Sequence, residues 1–286
     1  MNPDWLRYFI ALAETKSFHA AADRLHVTPQ AISRAIALLE DQLQLPLVDR
    51  DHRVKGLTGP GEALLEEARR VVTSHENAER RMAEWRTAEP QGPITIAGSG
   101  LWHYYLLPTI LADLLAAFPR LLPRLYSMLP AEVEERVAEG AVDVGLLLAP
   151  PQRPDLEALA GLETPYRIVG SPGSPSSWRE CGFVVPRFFR REGATSLDGW
   201  PDHQYPRRVV AEAEMLESMV RLCEAGVGVA FLPELAVRDR IQRGSLVVIA
   251  RAPVRHHDRL FVVRRKGVRP TPAIRVVSER LAGFSG

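Results

Sequence analysis

The sequence predicts a multidomain α and α/β protein, and three features indicate this fold class. Short helical patterns occupy residues 1–43, one uninterrupted helical pattern covers residues 59–88, and strands alternate with helices from residue 94 onward. The length of 286 residues suits about two domains. A content of 46% hydrophobic and 25% charged residues is ordinary for globular proteins and argues against a disordered or fibrous chain.

Composition alone does not point to a partner or a compartment. The formal net charge is +1, so a DNA-binding prediction must rest on where the charges lie. No apolar run reaches the ~18–20 residues that a membrane helix needs. Residues 1–9 show no basic segment followed by an apolar one, so we expect no secretory signal and a cytoplasmic protein. Two cysteines, Cys181 and Cys223, cannot form a disulfide framework, and no Cys/His spacing predicts a metal site.

The first 43 residues are typical of three short helices with clear start signals. Ser17 is a suitable cap for the second helix. Thr28 followed by Pro29 favours the start of the third, because proline lacks only a backbone donor that would be unpaired there. Each helix has apolar residues at helical spacing, which predicts one buried face per helix. They are Leu6, Phe9, Ile10 and Ala13, then Phe18, Ala21, Ala22 and Leu25, then Ile32, Ile36, Leu39 and Leu43.

The other face of the third helix has the residues that major-groove recognition needs. Gln30, Ser33 and Arg34 lie within about one turn of its start, where a recognition helix contacts base edges. Gln30 can pair with adenine and Arg34 with guanine, while Thr28 and Ser33 can contact phosphate or base. The alternative is a plain three-helix scaffold whose polar face is only solvated.

Residues 45–58 predict two short extended segments around a polar turn, the pattern of a wing. Arg50, Arg53 and Lys55 could reach the phosphate backbone beside the groove. Asp49 and Asp51 dilute this charge, so we expect the wing to position the protein and not to read sequence. The predicted DNA-contacting residues are Thr28, Pro29, Gln30, Ser33, Arg34, Arg50 and Arg53.

This N-terminal segment resembles the LysR-type transcriptional regulators. The matches run in order without gaps, at Phe9, Ala13-Glu14, Ser17-Phe18, Ala21-Ala22, Leu25-His26-Val27-Thr28, Ser33-Arg34, Leu39-Glu40, Leu43, Leu47, Arg50, Leu57-Thr58 and Gly61. The resemblance implies a winged helix-turn-helix domain (1–58), a long linker helix (59–88) and a two-lobed α/β effector-binding domain (92–286). Where the family often has Ser-Gln-Pro, this chain has Thr28-Pro29-Gln30, which puts Gln30 one residue deeper in the helix. Val48 replaces a phenylalanine.

Residues 59–88 also predict a surface for self-association. Seven residues follow spacings of 4, 3, 4, 3, 4 and 3, the a/d seam of helices that supercoil with a partner. The alternative is one amphipathic helix packed on its own domain. The family resemblance favours the dimer, because the linker helices of family members pair with each other to form one. His75 in the seam is either a neutral packed histidine or a pH-sensitive contact. The seam consists of Leu64, Ala68, Val71, His75, Ala78, Met82 and Trp85.

Beyond a Pro/Gly-rich break at residues 88–93, predicted strands and helices alternate along the chain. This alternation predicts a parallel sheet covered by helices. Predicted strands are 94–97, 121–129, 142–148 and 227–232, and predicted helices are 106–118, 131–139, 215–225 and one capped by Thr271. This half resembles the family's periplasmic-binding-protein-like domain at Gly92, Ile94, Ile96, Ser99, Leu107-Pro108, Phe118-Pro119, Gly140, Val142-Asp143-Val144, Ala225-Gly226-Val227-Gly228 and Leu232-Pro233. The resemblance implies lobe I at 92–160 and 260–286, lobe II at 161–259, and a hinge near 166–170 and 260–263. It also implies a tetramer through these lobes.

The effector site is expected where strands end and helices begin. That rule selects Gly98, Ser99, Gly100, Trp102 and Pro130, and the family's cleft adds Arg187, Glu214 and Met215. Ser99 could instead be a simple cap, and Trp102 could simply pack within its lobe. Where the family often has Asp-Ser, this chain has Glu214-Met215, which favours an apolar or cationic effector over a small carboxylate. Residues 171–205 lack the family's usual helical stretch, so effector identity does not transfer.

Rival functions have weaker support, and we expect no cofactor and no enzymatic activity. Ser99 and His103 lack a Gly-x-Ser-x-Gly turn and an orienting carboxylate. Gly226 and Gly228 follow a helix, whereas a dinucleotide loop follows a strand. A solute-binding transport protein would explain only the second half. A redox sensor remains an alternative, with Cys181 in a predicted loop as the reactive thiol and Cys223 in the core.

Overall fold

The computed structural model describes residues 1–50, 54–87, 89–187 and 198–284. The chain divides into two compact units: one comprises Met1–Thr87 with the short segment Glu139–Ala141, and the other contains the rest of the chain. Within the described residues, no helix is both long and apolar enough to cross a membrane.

The N-terminal unit is a helical core with a small wing. Its elements are α1 (Pro3–Thr15), α2 (Phe18–Leu25), α3 (Pro29–Leu43), β1 (Val48–Arg50), β2 (Val54–Leu57) and α4 (Gly59–Thr87). Both predicted caps are confirmed: Ser17 Oγ accepts a hydrogen bond from Ala20 N at 3.3 Å, and Thr28 Oγ1 accepts one from Ala31 N at 3.2 Å. The core contains Leu6, Phe9, Leu12, Ala21, Ala22, Ile32, Ile36 and Leu39.

The wing is an antiparallel pair in which Val48 lies opposite Leu57. Its start is joined to α3 by Glu40, whose Oε1 accepts hydrogen bonds from Leu47 N at 2.9 Å and Val48 N at 3.2 Å. At Gly61 a Cβ atom would lie only 2.1 Å from Leu47 O, so this position requires glycine. The wing therefore has a defined position against the third helix.

The second unit combines one large sheet with surrounding helices. Its strands are β3 (Gly92–Gly98), β4 (Leu121–Ser127), β5 (Val144–Leu147), β6 (Leu156–Gly170), β7 (Gly182–Pro186), β8 (Arg208–Ala213), β9 (Ala230–Pro233), β10 (Val247–Ala250) and β11 (His257–Arg265). Its helices are α5 (Gly100–Tyr105), α6 (Leu107–Ala117), α7 (Pro130–Glu139), α8 (Leu216–Glu224), α9 (Glu234–Gln242) and α10 (Pro272–Ala282).

The predicted parallel sheet is only partly correct. β3 pairs in parallel with β4 and β5, as alternation requires. β11 is antiparallel to both β5 and β6, and β9 and β10 are antiparallel to β6. The reason is connectivity: β6 carries the chain out of the first group of strands and β11 brings it back beside β6 in the opposite direction. The sheet is therefore mixed, in the order β10-β6-β11-β5-β3-β4 with β9 also on β6.

β6 is the longest strand and changes partners along its length. Its first part, from Leu156 to Pro165, pairs with β11, and its last residues, Tyr166 to Gly170, pair with β9 and β10. The strands predicted near 166–170 and 260–263 are thus present as parts of β6 and β11. Both strands extend beyond the predicted residues. β7 and β8 form a separate parallel pair.

Candidate nucleic-acid interface and effector cleft

The start of α3 presents a polar face to solvent. Gln30, Ser33 and Arg34 are exposed, whereas Ile32 and Ile36 on the opposite side are fully buried. Thr28 is exposed as the helix cap, and Pro29 is half-buried in the first turn. Among the described residues, no side-chain hydrogen bond or ion pair occupies Gln30, Ser33 or Arg34. In the part of the chain that the structure describes, the side chains of the face predicted to read bases are therefore not engaged with other protein groups.

The wing residues are described less completely. Arg50 ends β1, and Arg53 lies outside the described residues. The exposed Asp49 precedes Arg50. The wing's backbone lies close to α3 because Glu40 on that helix accepts the hydrogen bonds of Leu47 N and Val48 N. In the sequence, Glu40 is only one of the residues that match the family. No local pattern indicates that it binds the wing, because Leu47 and Val48 lie beyond the end of its helix.

Helix α4 has two apolar faces, and the predicted seam includes residues of both. One face packs on the core of the N-terminal unit, and the other is exposed. Ala68 is 1% exposed and Val72 is 8% exposed, and both belong to the core of the N-terminal unit. The prediction that Ala68 faces a partner is therefore wrong, because the protomer's own core covers it. Leu64 is half-buried against the same core.

Further along α4 the seam residues face outward. Val71 and Met82 are 41% and 59% exposed, and Ala78 is also exposed. His75 is half-buried, with Nδ1 3.6 Å from Glu79 Oε2, a contact that attracts only when the histidine is protonated. The side chain of Trp85 lies outside the described residues. An exposed stripe of Val71, Ala78 and Met82 thus remains for a partner.

In the second unit, α5 begins directly after β3, and four of the predicted effector residues lie at this junction, Gly98, Ser99, Gly100 and Trp102. Ser99 is at the N-cap position of α5, but its hydroxyl makes no capping hydrogen bond, so the simple-cap alternative is wrong. Gly98 is required for close strand packing, because a Cβ there would lie 2.7 Å from Leu146 Cβ. Trp102 is fully buried in the core of the unit, which fits the alternative that it packs within its lobe, and its contact with an effector stays a prediction.

Three polar atoms at α5 are buried without a hydrogen-bond partner among the described residues: Ser99 Oγ, Trp102 Nε1 and His103 Nε2. Their spacing places them on one side of the helix. His103 Nδ1 lies 3.0 Å from Ser99 O, and because a carbonyl oxygen can only accept, Nδ1 carries the proton. Burial lowers the pKa of His103, which favours the neutral ring. Nε2 of the neutral ring is then able to accept a hydrogen bond.

Glu214 lines a cavity of about 90 Å³ together with Tyr166, Asp198, Met219 and Phe231. Asp198 is engaged with Arg207 at 2.5 Å in an ion pair that is almost fully buried. The Tyr166 hydroxyl donates to Asp258 Oδ2 at 2.8 Å, and burial raises the pKa of both groups. In the described part of the chain, Glu214 has no ion-pair partner. We call this the Glu214 cavity.

The other predicted effector residues are not brought to the Glu214 cavity. Arg187 is exposed, and its Nη1 pairs with Glu212 Oε2 at 2.9 Å, so its charge is already compensated. Met215 is 55% exposed at the start of α8, and Pro130 is exposed at the start of α7. Arg187 and Met215 are not among the residues that line the Glu214 cavity, although their neighbours Pro186 and Leu216 are, and their contact with an effector stays a prediction. Tyr166 and Asp198 were missed because they are distant from Glu214 in sequence.

The structure contradicts Cys181 as a reactive thiol. Cys181 is 4% exposed, and its Sγ donates to Ser177 O at 3.4 Å. Burial raises the pKa of this thiol, which disfavours the nucleophilic thiolate. Cys223 is fully buried, as expected, and burial raises its pKa to about 12. No group of three or more metal-binding side chains occurs within the described ranges.

A winged helix-turn-helix joined in one chain to an α/β effector-binding domain is the architecture of a DNA-binding transcriptional regulator. Residues 3–62 match the bacterial regulatory helix-turn-helix protein model of the lysR family, and residues 87–284 match the LysR substrate binding domain. The chain belongs to the LysR family of transcriptional regulators, whose members bind DNA and small-molecule effectors and are not enzymes.

Two relatives and one solved structure match at least four-fifths of the chain. The chain is 32% identical to the Hca operon transcriptional activator HcaR of Escherichia coli (strain K12), over 98% of each protein. It is 30% identical to the HTH-type transcriptional regulator ClcR of Pseudomonas putida, over 80% of this chain and 81% of that protein. The crystal structure of full-length CbnR complexed with its target DNA matches with a TM-score of 0.68 and 25% identity, covering 98% of this chain and 99% of that one.

Proposed function

We propose that this protein binds promoter DNA as a dimer in the cytoplasm, reads an interrupted inverted repeat and responds to a small-molecule effector. The observation that carries the proposal is the exposed face of α3, where Gln30, Ser33 and Arg34 have no competing partner in the described structure. Two such helices related by a two-fold axis contact two half-sites of opposite orientation. Thr28, Pro29, Arg50 and Arg53 position the helix on the phosphate backbone.

The organisation that we propose is a DNA-binding domain at 1–58, a dimerisation helix at 59–88 and an effector-binding domain at 92–286, divided into the two lobes described above. The exposed stripe on α4, formed by Val71, Ala78 and Met82, supports the dimer. The edge strand β4 supports a tetramer, since it exposes Leu122, Leu125 and Tyr126. An exposed apolar sheet edge is suited to pairing with a second copy.

We place the effector at the start of α5 and in the Glu214 cavity. The unpaired Ser99 Oγ, Trp102 Nε1 and His103 Nε2 supply donors and an acceptor for a polar group. Glu214, which has no ion-pair partner among the described residues, lines this cavity with Met219 and Phe231, and this lining suits an effector with an apolar or cationic part and disfavours a small carboxylate. The effector acts by binding one arrangement of the lobes better than another, which changes the spacing of the paired DNA-binding domains.

The first test is fluorescence anisotropy of the purified protein on DNA from upstream of its own gene, with scrambled DNA of equal length as control, at two salt concentrations. We expect preferential binding to the upstream DNA that persists at the higher salt. Equal binding to both sequences that disappears with salt would show only phosphate attraction and would contradict specific recognition at this site.

A further inference from the structure

A second cavity in the α/β unit lies where strands β6, β10 and β11 meet. Its volume is about 790 Å³, within the range of about 300–1,000 Å³ that is typical of small-molecule sites. Residues of the middle of β6, the end of β10 and the connection to β11 line it. We call it the β10–β11 cavity. It shares Tyr166 with the Glu214 cavity, and the other lining residues of the two cavities differ.

The β10–β11 cavity is rich in basic side chains. Its basic residues are Arg167, Arg251, Arg255, His256 and His257, and its one acidic residue is Glu163. Glu163 is already engaged, because Arg259 Nε lies 3.3 Å from its Oε1. The lining therefore has basic groups in excess of the carboxylates that could balance them.

Two of the arginines have no counter-ion in the structure that is described. Arg167 Nε donates to Glu234 Oε2 at 2.7 Å, so its charge is compensated. Arg251 and Arg255 are exposed and have no hydrogen bond or ion pair with any described residue. Guanidinium groups pair bidentately with carboxylates and phosphates, and two unpaired groups at one cavity favour an anion there.

The rest of the lining is apolar. Val248 is 48% exposed, and Ala252 and Val254 pack against the core cluster that contains Phe231. The Tyr166 ring lies edge-on to His256, with centroids 4.6 Å apart. An inorganic ion would leave this apolar wall without contact, whereas an anionic group on an apolar body would use both parts of the lining.

We propose that the β10–β11 cavity binds an organic anion, a carboxylate or phosphate ester on an apolar body, held by Arg251 and Arg255. This ligand is additional to the effector proposed above and has the opposite charge preference from the Glu214 cavity. It would lie at the point where β6 exchanges β11 for β10 and β9 as partners. The class of anion, carboxylate or phosphate, is distinguished by the test.

The test is isothermal titration calorimetry of the full chain with three probes that share one apolar body: 2-naphthoate, 2-naphthyl phosphate and the neutral 2-naphthol. We expect at least one anion to bind more tightly than 2-naphthol. The double variant Arg251→Gln/Arg255→Gln should lose about tenfold or more in affinity for that anion, the loss of one charged hydrogen bond or more. The matched control is Arg275→Gln/Arg280→Gln, which removes two exposed charges from α10 and should leave affinity unchanged.

Glu214→Gln separates this site from the effector site. Anion binding that survives Glu214→Gln but is lost in the Arg251/Arg255 variant supports the proposal whether or not the effector site is correctly placed. The proposal is overturned if neither anion binds or if 2-naphthol binds as tightly as the anions. It is also overturned if the Arg251→Gln/Arg255→Gln variant and the Arg275→Gln/Arg280→Gln control bind the anion with equal affinity. Far-UV circular dichroism and thermal melting of each variant confirm that the surface substitutions leave the fold intact.

Discussion

The carboxylate of Glu40 on α3 accepts a hydrogen bond from Leu47 N at 2.9 Å, at the point where the chain enters the first strand of the wing. The same oxygen accepts from Val48 N at 3.2 Å. Because Leu47 and Val48 are buried, these two N–H groups have no access to water as a replacement. The helix that we propose reads bases and the wing that we propose contacts the DNA backbone are therefore held together by this carboxylate.

Glu40→Ala should leave both N–H groups unpaired and lower the free energy of unfolding by about 1–3 kcal/mol. Glu40→Gln keeps an oxygen acceptor and should lose less. Urea unfolding monitored by circular dichroism measures both variants. We also expect Glu40→Ala to weaken binding to all DNA sequences alike, since the wing positions and does not specify. Equal stability of the alanine and glutamine variants would contradict this role of the carboxylate.

Arg34→Ala should cost about 1–3 kcal/mol of binding free energy and relax specificity at one base pair. The reason is that Arg34 is exposed near the start of α3 with no protein partner in the described residues. Competition binding with single-base operator variants measures the change. Arg69→Ala on α4 is the control for loss of one positive charge. Unaltered sequence preference in Arg34→Ala would show that the groove assignment is incorrect.

Arg53 should behave differently from Arg34, as a phosphate contact. Replacing it with alanine should weaken binding to specific and scrambled DNA by a similar factor and reduce the dependence of affinity on salt. Titrations at several salt concentrations test this expectation. A change of base preference in Arg53→Ala, with an unchanged salt slope, would contradict it.

Neighbouring valines on α4 should have opposite effects on assembly and stability. Val71 is 41% exposed on the outward stripe, so Val71→Glu should raise the dimer dissociation constant with little effect on the folding of the protomer. Val72 is 8% exposed in the core, so Val72→Ala should lower stability by about 1–2 kcal/mol. Analytical ultracentrifugation and urea unfolding separate the two effects. A dimer that is unaffected by Val71→Glu would exclude this stripe as its interface.

Both cysteines should be slow to react in the folded protein. Burial raises the pKa of the Cys181 and Cys223 thiols, so at neutral pH a smaller fraction of each is thiolate than in a free cysteine. Reaction with a chromogenic disulfide should be slow in buffer and rapid in urea, where both thiols are released. Cys181→Ser should bind DNA like the wild type before and after peroxide treatment. Rapid labelling of Cys181 in the native state would restore the redox alternative.

Local sequence signals were sufficient for the helices that begin at capping residues. The start of α3 at Thr28-Pro29 and the exposure of Gln30, Ser33 and Arg34 follow from a cap, a proline and helical periodicity, all within one stretch of chain. The cap of the last helix by Thr271, which accepts from Ile274 N at 3.3 Å, was predictable for the same reason. The candidate DNA-binding face was thus available from the sequence.

Contacts between distant segments were decided by the tertiary structure. Ala68 and Val71 fit one heptad seam, but the N-terminal core covers only the first of them. Arg187 has the right residue type for an effector contact, but the adjacent strand supplies Glu212 as its partner. Tyr166, Asp198 and Glu214 meet in one cavity although no local pattern relates them. Periodicity and capping describe which side of an element is apolar or where it begins, whereas only the packed chain determines which distant residue covers that side.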